Sequence, residues 1–345
     1  MARLIRTLRS AHRRFRAGRR ASAPKVALIW WGSLSGGGGA TIGDLRAVEN
    51  LSDALNSAGC AHEIITHPSL PLPHRQVPDL FDLRRQIEML AFVCGPIVYN
   101  RELVDFLSVH RRAKKLAVGV SVIARQHAMT ELFDFIIARD GTHEQHFDIA
   151  VVDYEPPALR NRRFTKVGLC LRGAQSEYGR NICQNEKSDG MLRGLAHELN
   201  LETLEIDTVI GPDNSPSQIL EKFEAVDIIL TTRLHGSLFG LSKAKPIIAV
   251  DQIAGGAKVT SVLNAIEWPY VFQSNTISLN DLKNCVERWE DCYPIDAIIA
   301  SQANARRAAR QTIALAVSLI TEQAPSIRAL PAAISPPRPN SSRQD

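Results

Sequence analysis

The sequence alternates buried-strand and helix patterns, and it does so twice with one interruption. An apolar run, Lys25-Val-Ala-Leu-Ile-Trp-Trp31, leads through a loop holding Gly36–Gly39 and Gly43-Asp44 into a helix pattern with Leu45, Val48, Leu51 and Leu55 on one face. Strand patterns follow at residues 61–66, 89–94, 115–122 and 135–138, with a helix pattern at 101–110. The proline-containing stretch 151–163 breaks the series. It restarts with Lys166-Val-Gly-Leu-Cys-Leu-Arg172, then strand patterns at 201–209, 226–230 and 246–250 and helix patterns near 189–199, 217–224, 236–243 and 258–263. Apolar strands separated by helices require parallel sheets covered on both faces. The expected fold class is therefore α/β, with two Rossmann-like domains facing a cleft. The expected division is a leader over 1–24, an N-terminal domain over 25–155, a C-terminal domain over 164–322 and a tail over 325–345. The long Ala/Arg-rich helix pattern at 295–322 is expected to pack back across the junction, and the proline-rich tail to be disordered.

The formal net charge of +5 belongs to one end of the chain. Residues 1–20 hold eight arginines and no acid, and the remaining chain carries 33 basic against 36 acidic residues. A slightly acidic body gives no reason to expect nucleic acid as a partner. Leu4, Ile5, Leu8 and Phe15 among those arginines fit either a solvated, disordered leader or an amphipathic helix drawn to an anionic membrane. The leader lacks the uninterrupted apolar core of a signal peptide, and no stretch reaches the roughly 20 apolar residues of a spanning helix. The expected location is cytoplasmic, with peripheral contact at the inner face of the membrane through residues 1–20. Six cysteines form no Cys-x-x-Cys pair and several lie in strand-like runs, so reduced, buried thiols are expected, with neither a zinc site nor a disulfide framework.

In doubly wound sheets ligands gather where strands end. The segment Val226-Asp-Ile-Ile-Leu-Thr-Thr-Arg-Leu-His-Gly-Ser237 places Arg233 and His235 at the end of a buried strand and the start of a helix. Backbone N–H groups of Gly236 and Ser237 at that helix end favour an anion. Arg233 adds a bidentate donor for phosphate or carboxylate, and His235 a proton carrier near neutral pH. The alternative is structural: Arg233 paired with an acid such as Asp227, and His235 a capping residue. Arg172 closes another apolar strand before Gly173, and Lys258 follows Ala254-Gly-Gly-Ala257; both are candidate anion contacts or ordinary surface cations. In the first half, the loop up to Gly43 can wrap a polyhydroxyl or anionic ligand. Asp44 suits sugar hydroxyls or service as a base, or else is a plain N-cap. The loop matches neither dinucleotide nor Walker patterns. Arg139-Asp140 is read as structural or acceptor-positioning. No metal-ligand spacing is visible.

From about Val26 to about Leu263 the order of these segments resembles the polysaccharide pyruvyl transferase family. The resemblance rests on Gly43-Asp44, on Val93-Cys-Gly-Pro where the family usually has a run of glycines, on Ile137-Ala-Arg-Asp140, on Val167-Gly-Leu-Cys-Leu-Arg172, on Thr232-Arg-Leu-His-Gly236, and on Pro246-Ile-Ile-Ala-Val250 leading to Lys258. It implies a fold of the glycosyltransferase B type and transfer of the enolpyruvyl unit of phosphoenolpyruvate onto sugar hydroxyls, as a ketal, in exopolysaccharide or cell-surface glycan assembly. The implied partners are phosphoenolpyruvate as donor substrate, with no separate cofactor, and a sugar or lipid-linked oligosaccharide as acceptor. Arg172 and Arg233 would hold the donor's phosphate and carboxylate, and His235 would move the proton. Two alternatives stay open on the same residues, a nucleotide-sugar-dependent glycosyltransferase and a non-catalytic sugar-phosphate-binding protein.

Overall fold

The computed structural model describes residues 26–30, 40–68, 70, 72, 74–76, 87–157, 164–175, 177–179 and 181–323. The leader 1–24, the loop glycines 36–39 and the tail 325–345, for which the sequence raised expectations, lie outside the described residues.

The first sheet starts with β1 (Val26–Trp30), followed by α1 (Ile42–Ser57), β2 (His62–Thr66), β3 (Arg75–Gln76), β4 (Met89–Val93), β5 (Pro96–Ile97), α2 (Arg101–Val109), β6 (Lys114–Val122), a 3-10 segment (Ala124–Leu132) and β7 (Phe135–Gly141). The strands lie in the order β3-β2-β1-β4-β6-β5, with β7 also pairing β6, and every pairing is parallel. β1 and β4 are buried at every residue because helices cover both faces.

The second sheet comes from β8 (Lys166–Cys170), α3 (Asn185–Glu198), β9 (Glu202–Glu205), α4 (Pro216–Glu224), β10 (Ile228–Thr231), α5 (Leu234–Ser242), β11 (Ile247–Asp251), α6 (Lys258–Ala265), β12 (Val271–Gln273) and α7 (Leu279–Asp291), before the long α8 (Ile295–Gln323). Its parallel order is β12-β11-β10-β8-β9. Helix starts follow local chemistry. Thr41 and Asn100 cap α1 and α2, and Ser215 with Gln218 and Ser278 with Asp281 form capping boxes at α4 and α7.

Five elements escape the sequence patterns: the short strands β3, β5 and β12, the 3-10 segment, and α7, whose polar face outweighs its four buried residues Leu282, Cys285, Val286 and Trp289. The strand expected over 201–209 stops at Glu205, because the backbone beyond it turns to the other domain. Ile42 N–H donates to Thr208 O at 2.9 Å, and Ile210 N–H donates to Ala40 O at 2.8 Å. This bridge puts Asp207 and Thr208 beside α1. Cysteine burial also departs from expectation: Cys292 is exposed and Cys183 half-buried.

One apolar core runs through both sheets, joining Trp30 and Leu45 to Phe239, Leu263 and Ile320. Helix α8 packs on α1 and on α5, as its sequence pattern implied. Gln302 Nε2 donates to Glu155 O at 3.0 Å and Leu241 O at 2.7 Å, and Phe147 N–H donates to Thr312 Oγ1 at 3.1 Å. No helix among the described residues is long and apolar enough to cross a membrane.

Candidate functional site

The carboxyl end of β10 is organised by two threonines. Thr231 Oγ1 donates to Cys170 O at 2.7 Å and accepts Arg233 N–H at 2.9 Å, while Thr232 Oγ1 accepts Arg172 N–H at 2.8 Å. Arg172 and Arg233 thus leave adjacent strands side by side. Arg233 Nε donates to Leu171 O at 2.7 Å and one terminal nitrogen to Thr208 Oγ1 at 2.8 Å; its acid neighbour is Asp207, at 3.5 Å, rather than Asp227. Asp227 instead accepts from Thr165 and Lys166. Burial, with Arg172 nearby, shifts the Arg233 guanidinium downward from its ordinary value.

These groups open into a cavity of about 490 Å³ between the domains. Arg172, Arg233, His235 and Lys258 line it from the C-terminal domain, and Thr41, Asp44 and Arg139 from the N-terminal domain. Arg172 has a buried Nε with no hydrogen-bond partner among the described residues, and its nearest carboxylate, Glu177, is 3.7 Å away. Lys258 makes no ion pair with a described residue; burial, with Arg172 and Arg139 nearby, pushes its amine down to about 8. Three donors with unspent capacity facing one small space make an anion site.

His235 sits on the first turn of α5 and reaches across the junction. Its Nε2 lies 3.2 Å from Asp148 Oδ2 and 3.9 Å from Cys94 Sγ. Asp148 is fully buried and also accepts from Arg139 at 2.8 Å and from Ala150 N–H at 2.8 Å. Burial alone would raise the Asp148 carboxyl, but the charge and hydrogen bond of His235, together with Arg139, hold it well below the usual carboxylate range. A carboxylate only accepts, so the network assigns a proton to Nε2 and leaves Nδ1 as the nitrogen that exchanges one. Gly43 packs against the face of the ring: a Cβ there would lie 1.9 Å from His235 Nδ1 and 2.1 Å from Cγ.

Arg139 also donates to Cys94 Sγ at 3.0 Å. Cys94 and Gly95 both have left-handed backbones, with φ of 63° and 85°. The turn after β4 thus keeps a glycine-type conformation although its first residue is cysteine. Burial pushes the Cys94 thiol well above its ordinary value, so it packs as a neutral group. Donor atoms of Cys94, Asp148 and His235 lie within 4.8 Å of one another, a spacing that could hold a metal. Arg139, at hydrogen-bond distance from two of them, already supplies the positive charge there.

The structure therefore brings His235, Arg233, Arg172, Lys258 and Asp44 together. Asp44 is not the N-cap of α1: Thr41 is, and Thr41 Oγ1 donates to Asp44 Oδ2 at 2.8 Å. Gly43 meets the His235 ring rather than lining the cavity. Gly236 and Ser237 stand apart from it, which corrects their expected role. A Cβ on Gly236 would lie 2.5 Å from Thr231 Oγ1 and 2.7 Å from Cys170 Sγ, so this glycine lets α5 press onto the sheet. The buried Ser237 hydroxyl turns back to Arg233 O at 3.2 Å. Asp148, Thr208 and Glu177 escaped the sequence reading. For Asp148 the signal was a lone acid in the apolar run Phe147-Asp-Ile-Ala150.

No protein-family model matches the chain, and no curated protein sequence matches it. Among solved structures, a presumptive UDP-N-acetylglucosamine 2-epimerase from Listeria monocytogenes is similar at 8% identity and a TM-score of 0.55, covering 87% of this chain and 98% of that one. The calicheamicin glycosyltransferase CalG4 aligns at 10% identity and a TM-score of 0.46, over 89% and 100% of the two chains. The Anabaena protein HepE, solved with UDP-glucose, aligns at 12% identity and a TM-score of 0.46, over 87% and 99%. The chain has the GT-B fold. In GT-B terms the cavity is the inter-domain cleft, at the carboxyl ends of both sheets.

Proposed function

We propose that the protein is a transferase whose cleft holds an anionic phospho-donor, and that it moves the enolpyruvyl group of phosphoenolpyruvate onto sugar hydroxyls in surface-glycan assembly. The convergence of Arg172, Arg233 and Lys258 on one cavity beside His235 carries the reading. Phosphoenolpyruvate presents a phosphate and a carboxylate a few bonds apart, which matches three closely set cations. The described lining of that cavity includes no tryptophan, tyrosine or phenylalanine on which a nucleobase would stack.

In this reading the methylene carbon of the donor gains a proton and becomes a methyl group, leaving an oxocarbenium-like centre. One sugar hydroxyl oxygen bonds to the adjacent carbon, which bears the phosphate oxygen, and loses its proton; the bond from that carbon to the phosphate oxygen then breaks, and a second hydroxyl closes the ketal, again losing a proton. His235, held through Nε2 by Asp148, is the proton carrier, with Nδ1 as the exchanging atom. Arg172, Arg233 and Lys258 stabilise the departing phosphate. The leader, if it acts, holds the enzyme at an anionic membrane where lipid-linked acceptors lie.

The second reading is a nucleotide-sugar-dependent glycosyltransferase, supported by the shared fold of the Listeria UDP-N-acetylglucosamine 2-epimerase structure, whose substrate is a nucleotide sugar. Thermal shift separates the two, because a ligand that binds only the folded state raises the melting temperature. A shift with phosphoenolpyruvate, then phosphate release and a product heavier by pyruvate less water, is the expected result. A shift with UDP-sugars and none with phosphoenolpyruvate would transfer the assignment to the second reading. Binding without any turnover across a broad acceptor panel would leave a sugar-phosphate-binding protein.

A further inference from the structure

A second cavity, of about 450 Å³, is lined by the sequence neighbours of residues that line the first. Asp140 lines it where Arg139 lines the first, and Tyr178 lines it where Glu177 lines the first. Its chemistry is different. No lysine or arginine is among its described lining residues, so nothing there rewards a phosphate or carboxylate. Ile123, Ile182 and Ile253 supply apolar wall, and Ile182 is 40% exposed at the protein surface.

The polar groups there have capacity to spare. Asp140 Oδ1 accepts from Ser121 at 2.6 Å, while Oδ2 takes no hydrogen bond from a described residue. Gln145 spends its carbonyl on Ser261, at 2.7 Å, and its amide donor has no described partner. The Tyr178 hydroxyl is buried with no hydrogen-bond partner among the described residues, and burial, with the charge of Asp140, raises the phenol so that it stays a donor. An orphaned buried hydroxyl is costly in the free protein and profitable once a ligand oxygen meets it. Acceptors, donors and apolar wall around one space suit a ring with hydroxyls at its rim and C–H groups on its faces.

We propose that this second cavity is the acceptor subsite, which binds a neutral, hydroxyl-rich sugar ring beside the anionic donor site. The assignment deepens the transferase reading and rests on it for the word acceptor; the ligand chemistry rests on the cavity alone.

The test uses the full-length protein and a panel of neutral methyl glycosides of glucose, galactose, mannose and N-acetylglucosamine, with binding followed by ligand-observed NMR. At least one glycoside binds, and its affinity falls about tenfold in Tyr178→Phe and in Gln145→Ala. Tyr178→Phe keeps or raises the melting temperature, because it removes an unsatisfied group; a purely structural tyrosine would lower it. Gln145 is exposed, so its truncation leaves folding intact. The proposal is overturned if no glycoside binds, or if those that bind do so equally well in both variants. Loss of glycoside binding in the variants, with no response of any form to phosphoenolpyruvate, would keep this cavity and sink the pyruvyl reading. Turnover with phosphoenolpyruvate whose acceptor KM is unmoved by either variant would do the reverse.

Discussion

At the scale of single residues, the chemistry turns on how His235 is held. Replacing His235 with alanine removes the proton carrier and should lower kcat by about 10² to 10⁴-fold while donor affinity, read by thermal shift, stays close to wild type. Asp148→Asn keeps the shape but presents an amide to Nε2, and the ring then loses its assigned tautomer. Its kcat should fall by about 10²-fold with little change in KM, and a KM effect alone would contradict the positioning role. Gly43→Ala tests the packing on the face of the ring: a methyl group 1.9 Å from Nδ1 and 2.1 Å from Cγ must displace His235, so activity should drop although the substituted residue carries no reactive group. Lys258 gives a pH signature. Its amine, pushed down to about 8, is charged below that pH and neutral above it, so donor affinity should hold to about pH 7 and weaken as pH rises through 8. In Lys258→Arg, which stays charged, titration of binding against pH should be flat across that interval.

At the scale of elements, α5 is built to bring a loaded N-terminus against a strand end. Every residue from Gly236 to Ser242 is buried, and the close approach depends on Gly236 and Gly240, where a Cβ would lie 2.5 Å from Thr231 Oγ1 and 2.6 Å from Ile247 Cγ2. Gly236→Ala should therefore cost about 1–3 kcal/mol of stability, visible in chemical denaturation, before any effect on ligand contacts is considered. The helix carries no side-chain N-cap; its first residue follows Arg233, whose own backbone is held by Thr231. Most of this was legible beforehand. The strand-turn-helix order around Thr232-Arg-Leu-His-Gly236 placed Arg233 and His235 at the right end of the right strand. The assignment of Gly236 and Ser237 to ligand binding went wrong because a motif does not say which faces of a turn are already spent. Gly236 is spent on packing and the Ser237 hydroxyl on the preceding turn.

At the scale of the whole molecule, the two sheets behave as one folded unit. The core passes through both, α8 covers α1 and α5, and a backbone bridge joins 40–42 to 208–210. Calorimetry should accordingly show a single unfolding transition, with calorimetric and van't Hoff enthalpies in agreement; two separable transitions would show that the domains unfold independently. The sequence by itself determined the class of fold. Buried-strand runs and amphipathic helices have fixed periods, and alternating them twice leaves parallel sheets as the solution that buries both faces of each strand. It also determined which cations stand at strand ends, because a charge directly after an apolar run has nowhere else to go. Only the tertiary structure decided what those residues face. Asp148 meets His235 from 87 positions away, and Gly43 meets it from the other domain, through contacts that no local pattern encodes. Likewise, Arg139 and Asp140 are consecutive in β7 and line different cavities, but which groups of the other domain meet them there, Arg172 and Lys258 in one and Tyr178 in the other, was decided by tertiary packing.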